Sequence, residues 1–222
     1  TVKYLRNLSK IVNLAKTRGL IQTNPIDLLP LKMQTVEREF LTQDELKRLE
    51  EKQIGISRLE QVRDIFLFCC LTGLAYVDVA SLSTENIVEG KRGRQWLRKA
   101  RNKTNNMCNI PLLRPALRIL EKYAEYRAAT GRLLPVPSNQ KMNAYLKELA
   151  TLCGVAKNLT THCARHTFAT TVTLANGASL ENVSKMLGHS SIRMTQHYAK
   201  ILNSSIERDM DKIESELIGE DE

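Results

Sequence analysis

All four histidines of the chain, His162, His166, His189 and His197, fall within 36 of its 222 residues. The same window holds Arg165, three positions after His162, and Tyr198, nine positions after His189. Two chemistries suit such a set. A metal centre would use His162 and His166, which are four apart and share one face of a helix, and would need further ligands. The window offers few: Cys163 points to another face, and no Asp or Glu occurs between His162 and Leu180. No metal site is expected. Phosphate chemistry would use His162 and Arg165, at i and i+3 on one face of the first helical turn. There the backbone N–H groups and the helix dipole add to their positive field at a bound anion. Purely structural roles stand beside these, with Tyr198 packed on a core and His189 capping a helix.

The charge distribution favours an anionic partner. The chain carries 33 Lys and Arg against 24 Asp and Glu, a formal charge of +9. Seven of the cations, Lys91, Arg92, Arg94, Arg98, Lys99, Arg101 and Lys103, lie in one stretch of thirteen residues without an acid. The segment from Ile206 to Glu222 holds eight acids and two bases, so residues 1–205 alone carry +15. Such a field draws a polyanion, and nucleic acid is the commonest one a basic protein meets. With 42% hydrophobic and 26% charged residues the chain can bury a core. No apolar run approaches the roughly 18 residues of a membrane span, the longest being Ile65 to Leu71. Five cysteines without a C-x-x-C pair argue against a disulfide framework or a zinc ribbon, so buried, reduced thiols in a cytoplasmic protein are expected.

The elements that must position these residues are mainly helical. Val2 to Lys16 has apolar residues at helical spacing, followed by Gly19 and a connection with prolines at 25 and 30. Beginning at Thr1 without an initiator Met, residues 1–38 read as the end of an upstream domain and its linker. Thr42 with Glu45, and Ser57 with Glu60, match the capping box, and Gly73 reads as the stop of the second helix. Gln95 to Ala100 and Met107 to Leu112 read as a hairpin around Asn102 to Asn106. Helical patterns follow over Leu113–Ala128, Ser138–Cys153, Thr161–Ala175, Leu180–Leu187, Ser191–Tyr198 and on to about Leu217. The expected fold is mainly α with a small antiparallel β-sheet or hairpin, an α+β arrangement with one main domain over residues 39–200.

The strings HCARHTFAT (His162 to Thr170) and LGHSS (Leu187 to Ser191), with Tyr198 after them, resemble the H-x-x-R, LGH and nucleophilic-tyrosine boxes of the tyrosine recombinases, or phage integrase family. LTGLAYVDVASL (Leu71 to Leu82) is similar to the family's first box, and the resemblance covers about Phe40 to Lys200. It implies the catalytic-domain fold, with residues 1–38 as the remnant of a core-binding domain. It also implies phosphoryl transfer without metal or cofactor. Tyr198 would attack a DNA phosphodiester, giving a 3′-phosphotyrosine and a free 5′-hydroxyl. A phenol of pKa about 10 needs a basic neighbour or a strongly cationic site to act at neutral pH. Arg165 and His189 would hold the phosphoryl oxygens, and His162 would take the tyrosine proton or donate to the phosphate. Leaving-group protonation would come from a hairpin lysine, Lys103, with Lys99 as competitor. Arg92, Arg94, Arg98 and Lys99 would contact DNA. His166 and His197 have no role in the family and read as structural or close to DNA.

One position departs from the family. Where the first box carries its arginine, this chain has Ala75, although Asp78 three residues on keeps the family's acidic position. Losing one of two guanidinium clamps removes roughly 10²- to 10³-fold in rate unless another cation fills the gap. Arg101 is one candidate, two residues before Lys103 and so on the same side of an extended strand. Arg63 is another, but twelve residues of unbroken helix, about 18 Å, separate it from Ala75. Some conjugative-transposon integrases look similar in lacking this arginine, which suggests integration or excision of a mobile element. Inversion of DNA by the same chemistry, a type IB topoisomerase and a catalytically impaired DNA-binding relative are the alternatives. The resemblance further implies double-stranded attachment sites, a DNA-bound tetramer, accessory DNA-bending proteins and association with a bacterial nucleoid. Leu202, Ile206, Met210, Ile213 and Leu217 form an apolar stripe within residues 201–222, for packing in cis or for exchange with a neighbouring protomer.

Overall fold

The computed structural model describes residues 2–30, 39–199, 210 and 213–214. The chain divides into two compact units, residues 1–37 and residues 38–222. In the first, α1 (Val2–Thr17) is followed by a 3₁₀ turn at Pro25–Leu28. Buried Asn24 joins the two. Its Oδ1 accepts from the Ile26 N–H at 2.9 Å, and its Nδ2 donates to Ser9 Oγ at 3.0 Å and Asn13 Oδ1 at 2.9 Å.

The second unit is built around α3 (Ser57–Thr72), which buries Leu59 and Val62 and then every residue from Asp64 to Cys70. A helix enclosed all round needs apolar residues at nearly every position, so it has no polar stripe. Gly73 caps it in the left-handed region at φ 69°. Before it, α2 (Gln43–Glu51) starts on the expected capping box, with the Thr42 N–H donating to Glu45 Oε2 at 2.8 Å and the Glu45 N–H to Thr42 Oγ1 at 3.3 Å. The box expected at Ser57 does not form. Ile56 takes the cap position, and Glu60 Oε1 instead accepts from the Gly55 N–H at 3.3 Å.

After the short α4 (Tyr76–Ala80), three antiparallel strands follow in the order β1 (Ile87–Glu89), β2 (Gln95–Ala100) and β3 (Met107–Pro111). The register pairs Leu97 with Ile110 and Lys99 with Cys108, which turns Leu97, Cys108 and Ile110 into the core. β1 was not legible in the sequence because three residues are too short for a period of two. The single helix expected over Leu113–Ala128 is two, α5 (Arg114–Lys122) and α6 (Ala124–Thr130), broken at Tyr123. At that break Lys122 Nζ, at 2.6 Å, and Tyr123 Oη, at 2.9 Å, both donate to the buried carboxylate of Asp64 on α3.

α7 (Asn139–Leu152) packs on α3, as does α8 (Thr161–Thr167). α8 does not run on to Ala175 as an α-helix. It widens into a π turn over Phe168–Thr173. Threonine hydroxyls take up its carbonyls, Thr170 bonding His166 O at 2.7 Å and Thr173 bonding Phe168 O and Ala169 O at 2.9 Å. Such side-chain bonds compete with the helical ladder and distort it. Thr167 and Thr171 also grip both backbone groups of Leu41. α9 (Leu180–Met186) and α10 (Arg193–Ala199) complete the described elements. The helix expected to reach Leu217 lies almost wholly outside the described residues, of which Met210, Ile213 and Glu214 are helical and exposed. All five cysteines are free and buried, and no described helix is long and apolar enough to cross a membrane.

Candidate active site

α8 presents His162 near its N-terminus and Arg165 one turn on. Thr160 caps the helix by accepting from the Cys163 N–H at 3.0 Å. Arg165 is 4% exposed, and its fork is held by protein carbonyls: Nη1 donates to Gly73 O and Nη2 to Leu187 O, each at 2.6 Å. A guanidinium has five N–H donors. These carbonyls take two of the five among the described residues. Gly73 and Leu187 meet tightly here, since a Cβ on Gly73 would overlap the Phe168 ring and lie 2.8 Å from Leu187 Cδ2. Burial, and after it the charge of Arg101, disfavours the Arg165 cation, while Tyr198 and Asp78 favour it.

Tyr198, 5% exposed, enters from α10 among three imidazoles. Its ring centroid lies 5.0 Å from that of His166 and 6.1 Å from that of His197, and 6.4 Å from His189 with planes only 4° apart. His166 in turn meets His162 edge-on at 4.6 Å. His166 is therefore a buried bridge between His162 and Tyr198. Its spacing of four from His162 signalled a shared face, but not that Tyr198 would fill the space beside it. His189 sits on the loop between α9 and α10, with Nδ1 at 2.8 Å from the hydroxyl of Thr195. Burial first, then the charges of Arg165 and Arg101, lowers its pKa to about 4, so its imidazole is neutral at physiological pH.

The β2–β3 hairpin closes the site from the other side. Its turn bonds back on itself, with Asn105 at φ 55° and its N–H donating to Arg101 O at 2.8 Å. Two latches hold it. The Asn102 N–H donates to Oδ1 of buried Asp78 at 2.8 Å, with Asn102 Nδ2 on Val77 O at 3.0 Å, and Asn106 Nδ2 reaches Gly188 O at 3.3 Å. Gly188 lets the two loops close up, because a Cβ there would lie 2.8 Å from Cys108 Sγ and 3.0 Å from Arg101 Cδ. Arg101 thus stands beside the LGH loop. Its Nε is buried and has no hydrogen-bond partner among the described residues. Ala75 is the N-cap of α4, and Asp78 of the same helix accepts from the N–H of Asn102, the residue after Arg101.

The remaining sequence-derived residues fall into three places. Lys103 is exposed in the hairpin turn, and Lys99 Nζ is committed to Ser81 O at 3.3 Å. Arg94 and Arg98 are exposed on or just before β2, and Arg92 lies in the turn that precedes it. Arg63 is elsewhere. α3 runs unbroken from Ser57 to Thr72, and Arg63 donates to Lys52 O at 2.6 Å and pairs with Asp64 at 3.5 Å, in a cleft it shares with Lys122 and Asn176. α3 has no bend there, and Arg63 is engaged in that cleft. Among the described residues no group of three His, Cys, Asp or Glu side chains is placed to hold a metal ion.

A family profile described as the phage integrase family matches residues 39–204. The tyrosine recombinase XerD of Rhizobium meliloti is 32% identical over 146 residues, 61% of this chain and 45% of the relative. XerA of Pyrococcus furiosus is 29% identical over 183 residues, 76% of this chain and 60% of the relative. The chain thus spans about half the length of these curated relatives. Among solved structures, the Tn1549 transposon integrase in complex with transposon right end DNA superposes with a TM-score of 0.68 at 18% identity, covering 95% of this chain and 78% of that one.

Proposed function

From its membership of the phage integrase family, to which residues 39–204 assign this chain, we propose that it is the catalytic part of a site-specific recombinase that cuts and rejoins double-stranded DNA through Tyr198. The observation that carries the reading is the buried Tyr198 ring among His166, His189 and His197, with Arg165 close enough to act on its charge. In this reading Tyr198 Oη attacks phosphorus while the bond to the 5′ oxygen breaks. The phenol proton passes to His162, and the leaving 5′ oxygen takes a proton from Lys103, leaving a 3′-phosphotyrosine. Rejoining runs the same steps backwards from a new 5′-hydroxyl. Arg165, with its remaining N–H donors, and His189 hold the non-bridging oxygens, where preorganised donors act on charge as it develops.

Arg101 supplies the second guanidinium in place of the arginine absent at Ala75. The support is its buried Nε, which has no partner among the described residues, and its charge, which both Arg165 and His189 feel. Lys103 is preferred to Lys99 because Lys99 already donates to Ser81 O. Arg92, Arg94 and Arg98 extend the basic face toward the DNA backbone. Residues 1–38 read as the end of a core-binding domain and its linker, and residues 201–222 as a segment for exchange between protomers of a DNA-bound tetramer. The likeness to a transposon integrase favours integration and excision of a mobile element, in the cytoplasm and at the nucleoid, with accessory DNA-bending proteins. Ala75 keeps one other reading open, a relative that binds DNA without cutting it. Nicked duplexes drawn from the DNA flanking the gene, which trap the cleaved state, decide between them. A covalent protein–DNA adduct that Tyr198→Phe abolishes is expected, whereas binding without an adduct on every substrate would favour the second reading.

A further inference from the structure

We infer that Thr195 is a positioning residue that holds His189 as its Nε2–H tautomer, so that the imidazole offers a phosphate a donor and not a lone pair. The inference rests on the proposed phosphoryl transfer for its consequence, but its structural content stands on one hydrogen bond made by a buried hydroxyl. Thr195 is fully buried, and its hydroxyl lies 2.8 Å from His189 Nδ1. Other threonines within the helices of this chain spend their proton on the carbonyl one turn back, as Thr72 does on Phe68 O, Thr167 on Cys163 O and Thr170 on His166 O. Thr195 does not. The corresponding carbonyl, Ser191 O, accepts from the Met194 N–H at 3.1 Å, and the Thr195 hydroxyl has no partner other than His189 among the described residues. A buried hydroxyl proton without an acceptor is costly, so it goes to Nδ1. Nδ1 then holds a lone pair, and the ring proton is on Nε2.

That choice sets the sign of the interaction with an anion. Burial and the charges of Arg165 and Arg101 keep His189 neutral, so it has one N–H to place. With the proton on Nδ1, the free edge would present electrons to a phosphoryl oxygen. With it on Nε2, the edge donates. Nε2 has no protein partner among the described residues and is left for the substrate. Thr195 also lies three residues before Tyr198 on α10, so the same bond ties the donor to the helix that carries the nucleophile.

The test reads the tautomer and the rate separately. Histidine labelled with ¹⁵N in the 222-residue chain, with His189 assigned by its loss in His189→Gln, should show a protonated-type shift at Nε2 and an unprotonated one at Nδ1. Thr195→Val should mix or reverse the two and slow Tyr198 adduct formation about 10-fold, less than the roughly 10²- to 10³-fold of removing a donor outright. Thr195→Ser should restore both. An unprotonated Nε2 in the unaltered chain, or a Val variant with tautomer and rate unchanged, would overturn the inference. If the unaltered chain forms no adduct on any substrate, strand cleavage is what fails, and the spectrum still decides the tautomer. Should Thr195→Val not fold, the unaltered chain and the Ser variant supply the decision.

Discussion

The two halves of the candidate site are built in opposite ways. On the helical side, Arg165 is buried, wedged between the end of α3 and the LGH loop, and bonded to two carbonyls that cannot move without disturbing the core. On the hairpin side, Lys103 is exposed in a turn, and the strand ends hang on a few polar latches through Asp78, Asn106 and the turn itself. In the proposed reaction the first half would fix where a phosphate sits. The hairpin buries Leu97, Cys108 and Ile110 along its strands, so opening is cheapest at its turn, which polar bonds near solvent hold. Core rigidity suits groups that must be aimed throughout a reaction, and a hinged arm suits a proton donor needed only as the leaving group departs.

The contrast can be broken by variants on each side. Tyr198→Phe should have the largest effect, complete loss of covalent adduct with DNA binding retained in a gel-shift assay. Arg165→Lys follows, with cleavage expected to fall roughly 10²- to 10³-fold on a nicked substrate because an ammonium cannot bond two carbonyls and a phosphate in one plane. Lys103→Ala should slow cleavage about 10²-fold, yet recover on a substrate whose 5′ bridging oxygen is replaced by sulfur, a leaving group that needs no acid. Loss without recovery would take the acid away from Lys103. Asp78→Ala, which frees the Asn102 N–H, should cost less, about 10-fold, and Asp78→Asn, keeping the Oδ1 acceptor, should recover most of it.

The smallest effect concerns stability. His189 has its pKa depressed in the folded state to about 4, so the unfolded chain binds its proton more readily. Its contribution is therefore present in full above the unfolded value, about 6.5, and is lost as pH falls through about 4. Urea midpoints measured across that window should fall less steeply for His189→Gln than for the unaltered chain.

How far the sequence revealed this site depends on whether geometry was local. His162 and Arg165 could be placed because three residues on a helix fix a face, and the hairpin because β-rich runs flank a polar turn. Arg101 was named through the period of two on a strand, and that premise does not hold: β2 ends at Ala100, Arg101 opens the turn and packs beside Gly188, and Lys103 is exposed. What needed the fold was every relation made across the core. Nothing in the spacing of Gly73, Arg165 and Leu187 shows that two carbonyls 114 residues apart hold one guanidinium. Thr195 reads as any polar helix residue until His189 folds onto it. The π turn after α8 has the apolar pattern of an ordinary helix, and the threonines that distort it also look like core residues.

The five buried thiols give this molecule clocks of its own. Burial pushes Cys69 up to about 12 and Cys108 and Cys163 up to about 11, so none is reactive while its surroundings stay closed. They sit in different walls: Cys69 and Cys70 in α3, Cys108 in the hairpin, Cys163 in α8, and Cys153 at the end of α7. The order in which an alkylating reagent finds them in the native protein is thus a timetable of which wall opens first. If the hairpin is the arm and α3 the anvil, Cys108 is marked long before Cys69.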